Sequence, residues 1–255
     1  MKKITLYMGV LIAGVLTSCK EETKPKVIYK EKEVATQTVE RDSTQIKVSD
    51  LPVHMEGTKY VIFPVGDIRI YDNGNKSYGS SKTNTISYAI SNYNRFEITG
   101  YFENLKFQHV DSTNIRPLTE KLIQIQTATY LSEFAQANKR EILVYTLVDA
   151  DTNLDSKLDS NDIKSLYIST IGGLQFTKLT KDYQELIDWN VVVPLNRLYF
   201  RAIEDINKNG AFDKNDKVHY YYANMNAKNW EVTEYDPVNN LHKIAEEQTA
   251  VVPAE

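Results

Sequence analysis

The sequence predicts an all-β fold of antiparallel β-meander repeats, and three observations predict it. The stretch from residue 51 to 244 is rich in Tyr, Ile, Val and Thr, which suit a pleated, half-buried surface. Turn signals interrupt it, among them Asp72-Asn73-Gly74-Asn75 and Gly172-Gly173. An internal repeat joins the two: residues 143–170 align without gaps on 197–224 at a spacing of 54, each unit reading strand, acidic loop, strand.

The elements follow in chain order. Lys2 and Lys3 precede thirteen mostly apolar residues, Ile4 to Leu16, and small polar residues then lead to Cys19, the one cysteine. Residues 1–18 thus have the parts of a signal peptide, and the run is short against the roughly twenty residues a membrane-spanning helix needs. Leu16-Thr17-Ser18-Cys19 resembles the bacterial lipobox. That resemblance implies cleavage before Cys19 and membrane anchoring through lipid on its sulfur, since several acyl chains hold where one is marginal. Lys20-Glu21-Glu22 resembles the tag that sends some lipoproteins to the outer face of the outer membrane. It implies surface display, with a periplasm-facing position as the alternative.

From residue 19 to 50, Lys, Glu, Thr and Gln dominate with no sustained apolar face, which predicts a solvated, flexible tether. Residues 245–255 read as a polar tail. Between them, strands are expected at Tyr60–Pro64, Ile86–Ile90, Arg95–Tyr101, Leu105–Val110, Leu122–Tyr130, Ile142–Val148, Ser165–Thr170, Phe176–Leu179, Arg197–Ile203 and Val218–Ala223. Leu131-Ser-Glu-Phe-Ala-Gln-Ala holds good helix formers and is read as a short helix or loop.

A second echo relates Leu105–Thr119 to Leu166–Thr180, both beginning on Leu and ending Leu-Thr. The segment Ser165–Thr180 resembles the outer strands of periplasmic TolB-like propeller blades. A period of 54 leaves room for three to four units, whereas closed propellers have about four to eight. An open stack, a sandwich and a small propeller-like ring therefore all stay open.

The repeat carries two loops. The first places Asp151, Asn153, Asp155, Asp159 and Asp162 at positions 1, 3, 5, 9 and 12, with Lys157 at 7. The second places Asp205, Asn207, Asn209, Asp213 and Asp216 there, with Ala211 at 7. A hard divalent cation wants six to eight oxygens, and alternate residues of a wound loop supply them, with a backbone carbonyl from position 7. The spacing predicts two calcium sites. Position 6 needs a sharp turn, for which Gly210 is better suited than Ser156. Both loops resemble those of EF-hands, dockerins and thrombospondin type 3 repeats, although Asp replaces Glu at 12 and strands replace the flanking helices. The bland alternative is that Asp and Asn cluster in turns for backbone reasons alone.

Charge and motifs narrow the function. After residue 18, 28 basic residues face 34 acidic ones, a net charge of −6 that disfavours nucleic acid. His54, His109, His219 and His242 lie far apart, and no nucleophile elbow, phosphate loop or paired-histidine motif appears. Seventeen tyrosines, with Tyr220-Tyr221-Tyr222 the densest run, and Trp189 and Trp230 offer rings either for core packing or for stacking sugars and peptides. Two functions are carried forward: a non-enzymatic binder of extracellular protein or glycan, and an accessory or degenerate hydrolase domain acting on extracellular polymer. A flat aromatic face favours the first; a pocket with paired carboxylates or convergent histidines favours the second.

Overall fold

The computed structural model describes residues 25–29, 46–67, 69–71, 85–87 and 89–238. The signal peptide, Cys19, the turn at 72–75, His242 and the tail lie outside them.

In chain order the elements are β1 (Lys47–Ser49), β2 (Val53–His54), β3 (Tyr60–Asp67), β4 (Arg69–Tyr71), β5 (Thr85–Ser87), β6 (Ser91–Asn94), β7 (Glu97–Phe102), β8 (Asn104–His109), β9 (Ile115–Pro117) and β10 (Gln124–Tyr130). They continue with α1 (Ser132–Asn138), β11 (Ile142–Val148), β12 (Lys164–Thr170), β13 (Thr177–Lys178), β14 (Gln184–Val192), β15 (Arg197–Glu204), β16 (Lys217–Asn224) and β17 (Val232–Tyr235). The fold is all-β, and among the described residues every pairing is antiparallel and none of the sheets closes on itself.

Three of the four sheets among the described residues stack in layers, the open arrangement among those the repeat length allowed, while β4 and β5 pair as a separate two-stranded ribbon. The first joins β1, β3, β8 and β9, with β2 on β3; the central one runs β13-β12-β11-β10-β7-β6; the third is the meander β14-β15-β16-β17. β11, Ile-Leu-Val-Tyr-Thr-Leu-Val, is apolar almost throughout because both of its faces are covered. Leu143, Tyr145 and Leu147 point into the core shared with Ile62, Leu105 and Phe107 of the first sheet. Ile142 and Val144 point into the core shared with Leu198, Phe200 and Tyr221 of the third. Each such fully buried side chain contributes on the order of 1.5–3 kcal/mol relative to exposure.

The single α-helix among the described residues, α1, stops where Lys139 takes a left-handed φ of 57° and its N–H caps Ala135 O. It seats Phe134 in the core below it. Gly173 serves the tight turn after β12: its φ is +72°, and a Cβ there would stand 2.5 Å from the Phe107 ring.

Both sequence echoes are structural. Leu118 N donates to Leu105 O at 2.8 Å, and Leu179 N donates to Leu166 O at 2.8 Å, so the two Leu-Thr endings close equivalent hairpins. The longer repeat superposes the β11–β12 and β15–β16 hairpins with one difference of register. Tyr145 pairs with Tyr167 in the first, whereas in the second Tyr199 pairs with Tyr222 and Tyr221 pairs with Phe200. The returning strand has slipped by one residue, which reverses the face its side chains occupy.

The stretch read as tether is not solvated throughout. β1 pairs with β3, Asp50 accepts from Ile90 N and Ser91 N at 3.0 and 2.9 Å, and Val27 is 1% exposed.

Candidate functional site

The two acidic loops link β11 to β12 and β15 to β16, and they lie side by side, both bonded by the short segment 25–29. Their backbones agree residue for residue. Positions 4 and 6 take left-handed φ in each: Leu154 at 60° and Ser156 at 66°, Lys208 at 57° and Gly210 at 82°. Position 1 accepts from the amides of positions 5 and 6: Asp151 from Asp155 N and Ser156 N at 3.1 and 2.8 Å, Asp205 from Asn209 N and Gly210 N at 3.2 and 2.7 Å. Position 12 closes the loop. Asp162 accepts from Thr152 N at 2.7 Å and Asp159 N at 3.1 Å, and Asp216 accepts from Ile206 N at 3.3 Å and Asp213 N at 2.7 Å.

Positions 3, 5 and 9 each bond the amide two residues on. Asn153, Asp155 and Asp159 do so in the first loop, and Asn207, Asn209 and Asp213 in the second. The position 8 side chains, Leu158 and Phe212, are half-buried. Lys157 and Ala211 occupy position 7 and offer their carbonyls. Burial raises the Asp162 carboxyl against the opposing pull of those backbone amides.

Among the described residues, no three Asp, Glu, His or Cys side chains stand together as a ready metal cluster. The donor set nevertheless suits a hard cation in type and order: each carboxylate or amide oxygen engaged by a backbone N–H keeps a further lone pair.

A residue outside both loops supports the first of them. Asp149 accepts from Ser165 Oγ, Tyr167 Oη and Lys178 Nζ at 3.0, 2.8 and 2.7 Å. Its only sequence signal is an acidic residue at the end of an apolar strand.

A second candidate site is the outer face of the third sheet. The Tyr220-Tyr221-Tyr222 run divides between two faces. Tyr221 is buried against Phe200, their rings 5.1 Å apart, while Tyr220 and Tyr222 point outward. They join Tyr199 and Tyr235 in a cluster whose ring centroids lie 5.6–6.0 Å apart. Arg197 lies 4.0 Å over the Tyr222 ring and donates to Tyr199 Oη at 3.2 Å. Arg201 is held in a two-bond fork by Asp188, whose carboxyl that fork lowers. Asn190 and Thr233 complete the face, and none of these side chains is buried.

The tryptophans do not join it. Trp230 is core, under Arg140, and Trp189 packs against the same cluster.

The described histidines do not converge. His54 contacts Thr58 O, and His109 stacks edge-on to Tyr60 at 5.1 Å. His219 is buried between glutamates, with Nδ1 2.8 Å from Glu234 Oε1 and Nε2 2.8 Å from Glu204 Oε2, the latter off the hydrogen-bond direction. A cavity of about 720 Å³ is lined by Tyr60, Phe96, Tyr130 and Glu141 together with Glu56, which Arg95 engages at 2.6 Å. Burial raises the Glu141 carboxyl.

No protein-family model and no curated protein matches the chain.

Proposed function

We propose that this chain is an exported lipoprotein, anchored through lipid on Cys19, whose calcium-stabilised β-domain binds an extracellular glycan or protein on the outer face of the third sheet. The observation that carries the binding reading is that face. Four half-exposed tyrosines, one arginine lying over a ring and a flanking Arg-Asp fork share this face, and a hollow of about 290 Å³ lies among Asp188, Tyr199, Arg201, Tyr220 and Tyr235. Rings give sugar or peptide contact area at low entropic cost, and the polar groups between them give orientation. Calcium would be held by Asp151, Asn153, Asp155, Asp159, Asp162 and the Lys157 carbonyl in one loop, and by Asp205, Asn207, Asn209, Asp213, Asp216 and the Ala211 carbonyl in the other. It would neutralise clustered carboxylates and stiffen the sheet ends.

The hydrolase alternative has one observation behind it, the cavity in which Glu141 is raised by burial and Glu56 is lowered by Arg95. The Glu56–Arg95 pair is largely exposed, which favours a surface ion pair over a catalytic dyad.

Replacing Tyr199 and Tyr222 by Thr keeps strand propensity while removing two rings. The double variant should bind extracellular polysaccharide or protein about tenfold or more weakly in a pull-down titration, with an unaltered thermal midpoint. Undiminished binding of both partner classes would remove the face from consideration. For the anchor, Cys19→Ser should move the protein from the membrane to the soluble fraction on cell fractionation; retention in the membrane would refute lipidation there.

A further inference from the structure

Residues 25–29 sit six residues beyond Cys19 in a stretch composed like a solvated linker, yet they cross both acidic loops. Lys26 N and Val27 N donate to Gly210 O at 2.7 and 3.2 Å, and Ile28 N donates to Thr152 O at 2.9 Å. Thr152 Oγ1 returns a bond to Lys26 O at 2.8 Å. These contacts fall on position 2 of one loop and position 6 of the other, among the residues that would fold around calcium.

Side chains reinforce the seat. Val27 is 1% exposed, Lys26 Nζ meets Glu185 Oε1 at 2.7 Å, and the Tyr29 ring lies 5.8 Å from the Tyr183 ring. Gly210 has a second reason to be glycine beyond its φ: a Cβ would stand 2.5 Å from Val27 O. The other loop accepts Ser156 at this position, and among the described residues no chain segment is bonded to its carbonyl.

We propose that residues 25–29 are a strap whose docking on the two acidic loops is coupled to calcium loading of those loops, so that calcium sets how far the domain hangs from its lipid anchor. The inference rests on the calcium and lipid readings above. The cation would offset the mutual repulsion of the loop carboxylates and so stiffen the backbone that receives the strap. By linkage the coupling is reciprocal: a docked strap tightens calcium binding as calcium tightens the strap. Docked, six residues hold the loop end of the domain within about 20 Å of Cys19. Released, the chain is next held, among the described residues, at Lys47, and the connection can extend to about 90 Å.

The test is amide hydrogen exchange on the full mature chain carrying Cys19→Ser, in millimolar calcium and in chelator, beside calcium calorimetry. Calcium should slow exchange at Lys26, Val27 and Ile28 tenfold or more. Val27→Asp should abolish that protection and weaken calcium affinity about fivefold or more. Gly210→Ser, which copies the residue of the other loop, should also expel the strap.

Calcium heat in the unaltered strap with these amides exchanging equally in both conditions would overturn the strap and leave the calcium reading standing. Unchanged calcium affinity in Val27→Asp would overturn the coupling. Absence of calcium heat altogether would overturn both readings.

Discussion

Stripping calcium from the domain should lower its thermal midpoint by about 6–12 °C, measured by scanning calorimetry in millimolar calcium against chelator. Extracellular modules bind with dissociation constants of about 0.1–1 mM. At the tight end of that range, 1 mM calcium adds about 1.4 kcal/mol per site, or about 3 kcal/mol for two. For a domain of this size each kcal/mol moves the midpoint by about 2–4 °C. Asp205→Asn should remove one of the two binding events from the calcium titration. Asp205 accepts from Asn209 N and Gly210 N, so an amide retains part of that bonding while losing the charge. A midpoint indifferent to chelator, with no heat at millimolar calcium, would reduce the loops to well-capped turns.

The second large effect belongs to the central sheet. Tyr145 is fully buried between layers, bonds Ser169 Oγ at 2.6 Å and meets the Phe176 ring edge-on at 5.5 Å. Burial holds its phenol protonated well above the ordinary tyrosine range. Tyr145→Ala should cost about 3–5 kcal/mol through lost contact and the cavity left behind. Tyr145→Phe should cost about 1–2 kcal/mol, since only the hydroxyl goes and Ser169 Oγ still bonds Thr170 O at 2.7 Å. Urea unfolding reads both, and a midpoint for the Ala variant equal to that of the natural chain would contradict the double burial of β11. Against a typical domain stability of about 5–15 kcal/mol, the Ala variant would be marginal.

Much of this architecture is legible in the residues because its signals are local. β11 announces itself as an uninterrupted apolar run, and the acidic loops announce themselves by spacing. β14 does not. Its Gln-Glu-Leu-Ile-Asp-Trp-Asn sequence mixes polar and apolar residues because it is an edge strand with one face in water, and a bulge between Leu186 and Asp188 breaks the alternation by one residue. The strap is hidden for a different cause. Its one sequence signal is the apolar triplet Val27-Ile28-Tyr29 in a charged stretch, and what that triplet packs on lies more than a hundred residues away. The aromatic face was likewise ambiguous: Tyr220-Tyr221-Tyr222 fixes that rings alternate, and only the strand register decides which of them meets water.

That register carries a lesson about how copies diverge. The two hairpins spell nearly the same letters, with Tyr145 and Tyr167 in one matched by Tyr199 and Tyr221 in the other. In the first copy both rings turn toward one core; in the second, a displacement of one residue buries Tyr221 and leaves Tyr199 facing outward beside Tyr222. A duplicated segment can thus acquire a wet aromatic surface by sliding one strand along its neighbour, with its tyrosines kept and their audience changed from hydrocarbon to solvent.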